Sequence, residues 1–275
     1  MKKVLGLVVV AGLAGIAHAQ DGVREAAYGN ALAVQTIDTQ FGDNSSELNA
    51  VYCYTGGGNL NFIFTGNLET NFNKLHFFLD YTSGGVNNGG GLPYAGGVGN
   101  LSFDAGFNAD LAIQINGGNN PVEWFVNAWD YNGANGDYLG TNNGSGAPLT
   151  GGNNYVGLGL GVNNTNTGGV GGGTGAANSL AALAVTTGIE ISIPLSYFGG
   201  SLPAGTRGLA FVTGSGNDFL SNQFLGGLPA NTGNLGGGAV NLNSIGGDQF
   251  FAIPTPGAAA LLGLGGLLAT RRRRA

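Results

Sequence analysis

Along this chain short apolar runs alternate with long stretches of glycine and asparagine, and within the runs the period is two. Leu48 to Tyr54 and Leu60 to Gly66 are apolar runs joined by Thr55-Gly56-Gly57-Gly58-Asn59, the signature of a hairpin. In Lys74 to Tyr81 the positions Leu75, Phe77 and Leu79 face one way and Lys74, His76, Phe78 and Asp80 the other, which predicts one core face and one mostly wet face. After a glycine- and asparagine-rich loop, Leu111 to Ile115 and Val122 to Tyr131 read as further strands; a second long loop, Asn132 to Asn154, leads into Tyr155 to Val162. There glycine alternates with Val156, Leu158, Leu160 and Val162, so one face is bare backbone that lets another backbone or a ligand approach closely. Ile189 to Ile193, Leu209 to Thr213 and Gln249 to Ile253 are the last strands, and Ala26 to Gln35 opens the series at an edge. Helical spacing is confined to Ala176 to Ala184 and Leu195 to Phe198. Eight to ten short strands separated by turns predict an all-β fold, an antiparallel β-sandwich of jelly-roll or immunoglobulin-like type with long Gly/Asn-rich loops.

Composition tests that reading. Glycine is the commonest residue at 56, and only 9% of residues are charged, as in low-complexity chains. Hydrophobic residues nevertheless reach 43% and sit in runs, which a disordered chain lacks. One domain, residues 20–252, is expected. Cys53 is the only cysteine, so no internal disulfide staples it, and its place in a strand pattern marks a small buried hydrophobe.

The two ends read as addresses. Met1-Lys2-Lys3, the apolar Val4 to Ile16 and the small-x-small Ala17-His18-Ala19 form a secretory signal peptide, residues 1–19, with cleavage between Ala19 and Gln20 by a signal peptidase. At the other end Pro254-Thr255-Pro256 precedes an apolar segment, Gly257 to Thr270, and the cluster Arg271, Arg272, Arg273 and Arg274. The apolar segment, a short hydrophobic helix by expectation, is brief for a span of roughly 20 residues, and the arginines hold it at the cytoplasmic face. This layout of residues 253–275 resembles the PEP-CTERM sorting signal of bacterial exported proteins, with threonine where the family has glutamate. The resemblance implies an exosortase-like processing protease as partner, and a body released or transferred to the cell surface or extracellular matrix. A permanent membrane anchor is the alternative. Without the two ends, Arg24, Lys74 and Arg207 remain against all 15 acids, a net charge of −12. Nucleic acid, which needs a basic footprint, is thereby excluded as a partner.

Little in the body carries chemistry. His76 is its one histidine and has no nucleophile motif nearby. With one histidine and one cysteine, a zinc site is excluded. Calcium needs only oxygens: Asp130 and Asn132 stand in an Asp/Asn run that is out of register with an EF-hand, and Asp104 and Asp110 flank a loop entering a strand. Turn formation is the competing role for all four. No pair among the acids is marked for glycoside hydrolysis, and no glycine stretch has the lysine and hydroxyl that a phosphate loop requires. The strongest binding candidate is the aromatic group Trp124, Phe125, Trp129, Tyr131 and Tyr138 beside Asn and Asp, a combination suited to sugar rings. Strand alternation turns Trp124 and Trp129 to opposite faces, so at least one belongs to the core.

Three segments, Asp21-Gly22 through Tyr28, Gly188 through the Ile193-Pro194-Leu195 stretch to Gly199, and Gly208 to Thr213, resemble family 9-like carbohydrate-binding modules and the related DOMON sandwiches. The resemblance implies the sandwich and, more loosely, sugar binding. The expected function is therefore a non-catalytic exported surface or matrix protein with polysaccharide as its ligand. The alternatives are an extracellular carbohydrate-active enzyme with paired carboxylates and a purely structural matrix component.

Overall fold

The computed structural model describes residues 19–90, 97–133 and 135–255. The expected signal peptide up to residue 18, the expected C-terminal apolar helix, Pro256 and Arg271 to Arg274 lie outside the described residues.

Strand β1 (Ala33–Val34) lies beside β2 (Glu47–Gly56), which turns through Gly57 and Gly58, both at positive φ, into β3 (Asn59–Asn67). That is the twist a two-residue hairpin needs and that glycine adopts without steric cost. The chain then crosses to a second sheet with β4 (Lys74–Asp80), β5 (Leu111–Gly118), β6 (Glu123–Asp130) and β7 (Asn135–Asn142) in a meander. It returns with β8 (Gly159–Val162), a six-residue helix α1 (Ser179–Ala184) and β9 (Gly188–Pro194). The second sheet is completed by β10 (Arg207–Thr213), β11 (Leu220–Leu225) and β12 (Phe251–Ala252). The sheets run β1-β2-β3-β9-β8 and β11-β10-β4-β5-β6-β7, with β12 beside β10, and their strands pair antiparallel throughout. The fold is all-β, two antiparallel sheets face to face. Between them Phe77 of β4 meets Phe62 and Phe64 of β3 edge-on, at 4.8 and 4.9 Å between ring centroids.

The outer face of the larger sheet departs from expectation. Lys74, His76 and Phe78 are buried like their inward neighbours, because residues 97–109 and 228–245 bring Leu101, Phe103, Phe107, Leu228 and Leu242 down onto that face. Phe78, Phe211 and Phe224 form a stacked row beneath them. The glycine-rich connections thus carry a second hydrophobic cluster, and the alternation in β4 separates two cores instead of a core from water.

Strand β7 lies inside the stretch Asn132 to Asn154 that the pattern reads as a loop, and β11 falls in a stretch it leaves unassigned. In β11 the buried residues include Ser221, Asn222 and Gln223. Their polarity hides the strand, yet each is satisfied: Ser221 Oγ donates to Val212 O, Asn222 Nδ2 to Asp38 O, and Gln223 Oε1 accepts from Leu48 N. Strand β8 begins at Gly159, later than the alternation suggests, and Leu195–Phe198 forms a single 3-10 turn.

The bare glycine face of β8 is occupied by the chain's own Gln20–Gly22. A Cβ on Gly161 would stand 2.3 Å from the Gln20 carbonyl oxygen, and one on Gly22 would stand 2.2 Å from Asn163 N. Beneath this segment lies Glu190 of β9, 1% exposed. Its Oε2 accepts from Asp21 N and Gly22 N at 3.1 Å each, and its Oε1 accepts from Tyr28 Oη at 2.6 Å. Burial pushes the Glu190 carboxyl up to about 7 against the pull of these donors, with Glu25 adding repulsion.

Candidate functional site

The loops that cover the outer face of the larger sheet leave part of it open, where β5, β6 and β7 carry Asn116, Phe125 and Tyr138. Cross-strand register sets a row, Lys74 opposite Asn116, Asn116 opposite Phe125, and Phe125 opposite Thr141, all directed outward because their neighbours Leu75, Ile115, Trp124 and Val126 point into the inter-sheet core. Gly117 and Gly118 extend β5 past this row, and the absence of a side chain at Gly118 makes room for an aromatic ring from outside the strand. A Cβ at Gly118 would be 2.2 Å from the ring of Phe72, so that ring rests directly on the strand backbone.

Phe72 is the unusual residue. It has φ of 70°, in the left-handed region that a bulky side chain rarely occupies, and it is held there by donation from its N–H to Gly117 O at 2.9 Å. Its ring is 41% exposed and lies 6.3 Å from that of Phe125, tilted by 31°. The strain is of order 1–3 kcal/mol, and its result is an apolar ring turned toward solvent.

Polar groups stand around the two rings. Asn116, only 7% exposed, stands between Lys74 and Phe125 in this row. The Lys74 ammonium donates to Phe72 O and to Ser215 O, tying the turn before β4 to the turn after β10. Burial lowers the Lys74 pKa, and the nearby Asp218 partly offsets this. Tyr138 is half-buried, and burial raises its pKa against the pull of the Thr141 side chain, with the Glu123 carboxylate raising it further. Rings of this kind beside amides, a hydroxyl and a carboxylate suit a ligand with flat apolar faces and a rim of hydroxyls.

The predicted site residues divide. Trp124 is 4% exposed and belongs to the inter-sheet core. Trp129, 8% exposed, packs in the outer cluster with half-buried Tyr131 against it. The tryptophans point to opposite faces as the alternation requires, and because each is needed for packing neither offers a flat surface. Of the proposed binding residues, Tyr138 reaches the open face, together with its neighbour Phe125. Phe72 was not legible: it is a lone aromatic among Asn and Thr, and only the Gly117-Gly118 pair in a distant strand hinted at a ring seat.

The four oxygen donors considered for calcium are engaged otherwise. Asp104 Oδ2 accepts from Gln249 N; Asp110 accepts from Tyr81 N, Thr82 N and Asn132 Nδ2; Asp130 Oδ1 accepts from Asn132 N and Gly133 N. Asn132 Oδ1 accepts from Gly85 N. Only the Asp130 bonds are those of a local turn, while the others tie segments distant in the chain, and among the described residues no three His, Cys, Asp or Glu side chains group as a metal site. His76 is fully buried, stacked 5.2 Å from Phe211 with Nε2 3.1 Å from Thr213 Oγ1, and burial pushes its pKa down to about 3. Cys53 is pushed up to about 12 by burial, an unreactive thiol. Glu190, the carboxyl raised to about 7, already receives three donors and is sealed from solvent. Ala19 is exposed, Gln20 half-buried, Pro254 exposed and Thr255 half-buried. Among the described residues, no helix is long and apolar enough to cross a membrane.

No protein-family model matches the chain, and neither a curated protein nor a solved structure matches it.

Proposed function

We propose that this is an exported, non-catalytic protein of the cell surface or extracellular matrix that binds polysaccharide on the open outer face of its larger sheet. The observation that carries the reading is Phe72, whose backbone is held in a strained conformation with its ring laid on Gly118 and exposed beside Phe125. Strain that persists at a surface ring finds its reason in what the ring contacts. Phe72, Phe125 and Tyr138 supply the apolar surface; Asn116, Thr141 and Glu123 supply hydrogen bonds.

The likeness to family 9-like carbohydrate-binding modules and DOMON sandwiches is part of this proposal. Two of its three segments are in contact, Asp21-Gly22 and Tyr28 all bonding to Glu190 of the Gly188–Pro194 strand. Export by signal peptidase cleavage after Ala19, and sorting by an exosortase-like protease through the tail at Pro254, complete it.

The test is co-sedimentation of the full-length protein with insoluble neutral polysaccharides. Retention that is lost in Phe72→Ala and Phe125→Ala, with folding unchanged by circular dichroism, is the expected result. Retention unaffected by either substitution refutes this site.

A further inference from the structure

Gln20, the first residue of the body, lies in a seat made of glycines. A Cβ on Gly146 or Gly161 would stand 2.2 or 2.3 Å from its carbonyl oxygen, and one on Gly159 would stand 2.1 Å from its side-chain Oε1, so three glycines are bare where Gln20 packs. The residues that follow hold it there. Asp21 N and Gly22 N donate to Glu190 Oε2, and Gly188 N donates to Gly22 O. Ala19 is exposed and Gln20 half-buried, so the chain passes from solvent into packing at the bond expected for signal peptidase. One atom does not fit its surroundings. Gln20 Nε2 is buried and has no hydrogen-bond partner among the described residues. An amide donor left buried and unpaired costs free energy and is rare in folded proteins.

We propose that Gln20 is a modification site: the mature N-terminus is a pyroglutamate, formed from this glutamine and packed on the glycine seat. The proposal rests on cleavage after Ala19, part of the function proposed above. Cleavage turns the Gln20 nitrogen into a free amine in the same residue as the side-chain carboxamide. The amine nitrogen attacks Cδ. The N–Cδ bond forms, the Cδ–Nε2 bond breaks, and Nε2 leaves as ammonia with a proton taken from the amine. The product is a five-membered lactam, and the step needs no oxidant, reductant or second substrate. Two properties of the site favour the closed form. The atom that leaves is the buried donor without a partner, so closure removes an unmet hydrogen bond instead of breaking a made one. The lactam retains both carbonyls of the glutamine, and the bare Gly146, Gly159 and Gly161 leave room for its ring. An open N-terminus keeps the unpaired amide in the seat.

The experiment is mass spectrometry of the full-length protein, expressed with its signal sequence in a host that exports it, on the intact chain and on its N-terminal peptide. The expected peptide begins at residue 20, is lighter by one ammonia than the encoded sequence, and offers no free amine to N-terminal sequencing. Gln20→Asn, whose closure would need a four-membered ring, stays open and is sequenced normally. Pyroglutamyl peptidase, which removes only the cyclised residue, acts on the native protein roughly tenfold more slowly than on the unfolded one, because the ring has to leave its seat first. Gly159→Ala puts a methyl group where the side chain packs and loses that protection, while Gly238→Ala keeps it. A peptide that begins at Gln20 with its full mass and a free amine overturns the pyroglutamate and leaves the cleavage reading intact. Equal rates of removal from native and unfolded wild type overturn the seated ring. A peptide that begins at any other residue overturns the cleavage site, and this inference with it.

Discussion

At the scale of single residues, the informative positions are those where the local conformation or charge state costs free energy. Phe72 pays for its left-handed backbone, and replacing it separates strain from contact. Phe72→Gly and Phe72→Ala both delete the ring, but only glycine is free of the clash between Cβ and the carbonyl, so Phe72→Gly is the more stable of the two by about 1 kcal/mol in urea titrations. Glu190 gives a pH signature. Its folded pKa of about 7 lies above the value of 4.5 usual for a free carboxyl, so the folded state prefers the proton. The stabilisation is complete below pH 4.5 and is lost as the pH rises through 7, an effect of up to about 3 kcal/mol. His76 acts in the opposite sense, because a pKa lowered to about 3 costs stability as the pH falls below 6.5. Comparing wild type with Glu190→Gln at each pH isolates the first term: the difference in unfolding free energy changes between pH 4.5 and 7.5 for a buried acid and stays flat if Glu190 titrates normally. The aspartates that read as calcium ligands give a third expectation. Their oxygens face backbone and amide N–H groups, so a chelator leaves the melting temperature where it was.

At the scale of elements, sequence pattern located most strands and misjudged their surroundings. Period two identified β4, β5 and β6 because each has one face in the inter-sheet core. It did not reveal that the opposite face is also covered, since the covering residues Leu101, Phe103 and Phe107 come from a loop with no period of its own. It passed over β11, whose buried Asn222 and Gln223 look like loop residues until their partners on other elements are known. The glycine alternation of β8 was legible in its consequence, a close backbone approach; that the approaching backbone is Gln20–Gly22 depends on a contact more than a hundred residues away in sequence. It makes a sharp prediction. Gly161→Ala drives a methyl group into the Gln20 carbonyl, which costs about 1–3 kcal/mol and exposes the first residues of the body to limited proteolysis, while Gly238→Ala, with open space at its Cβ, does neither.

At the scale of the whole molecule, the larger sheet has two distinct ends. Strand β12, from which the tail departs, pairs with Arg207 and Gly208 of β10, whose partners on β4 are Asp80 and Leu79. The turn that carries Phe72 stands at the Lys74 end of the same strand. Six residues of extended chain separate them, about 20 Å at about 3.3 Å per residue. Attachment through the tail therefore leaves the proposed binding surface free: protein coupled to a solid support by its C-terminus is expected to retain the glycan capacity of the free protein in a column assay, and a loss of capacity would place the ligand near the tail instead. The sequence by itself determined the strand-rich class and the acidic excess between residues 20 and 252, because these follow from composition and local periodicity. The tertiary structure alone decided which face is covered, that both tryptophans are core, and that the Phe72 ring comes to rest on Gly118. Those outcomes depend on contacts between residues far apart in the chain, and a period of two specifies which side a residue takes without specifying what meets it there.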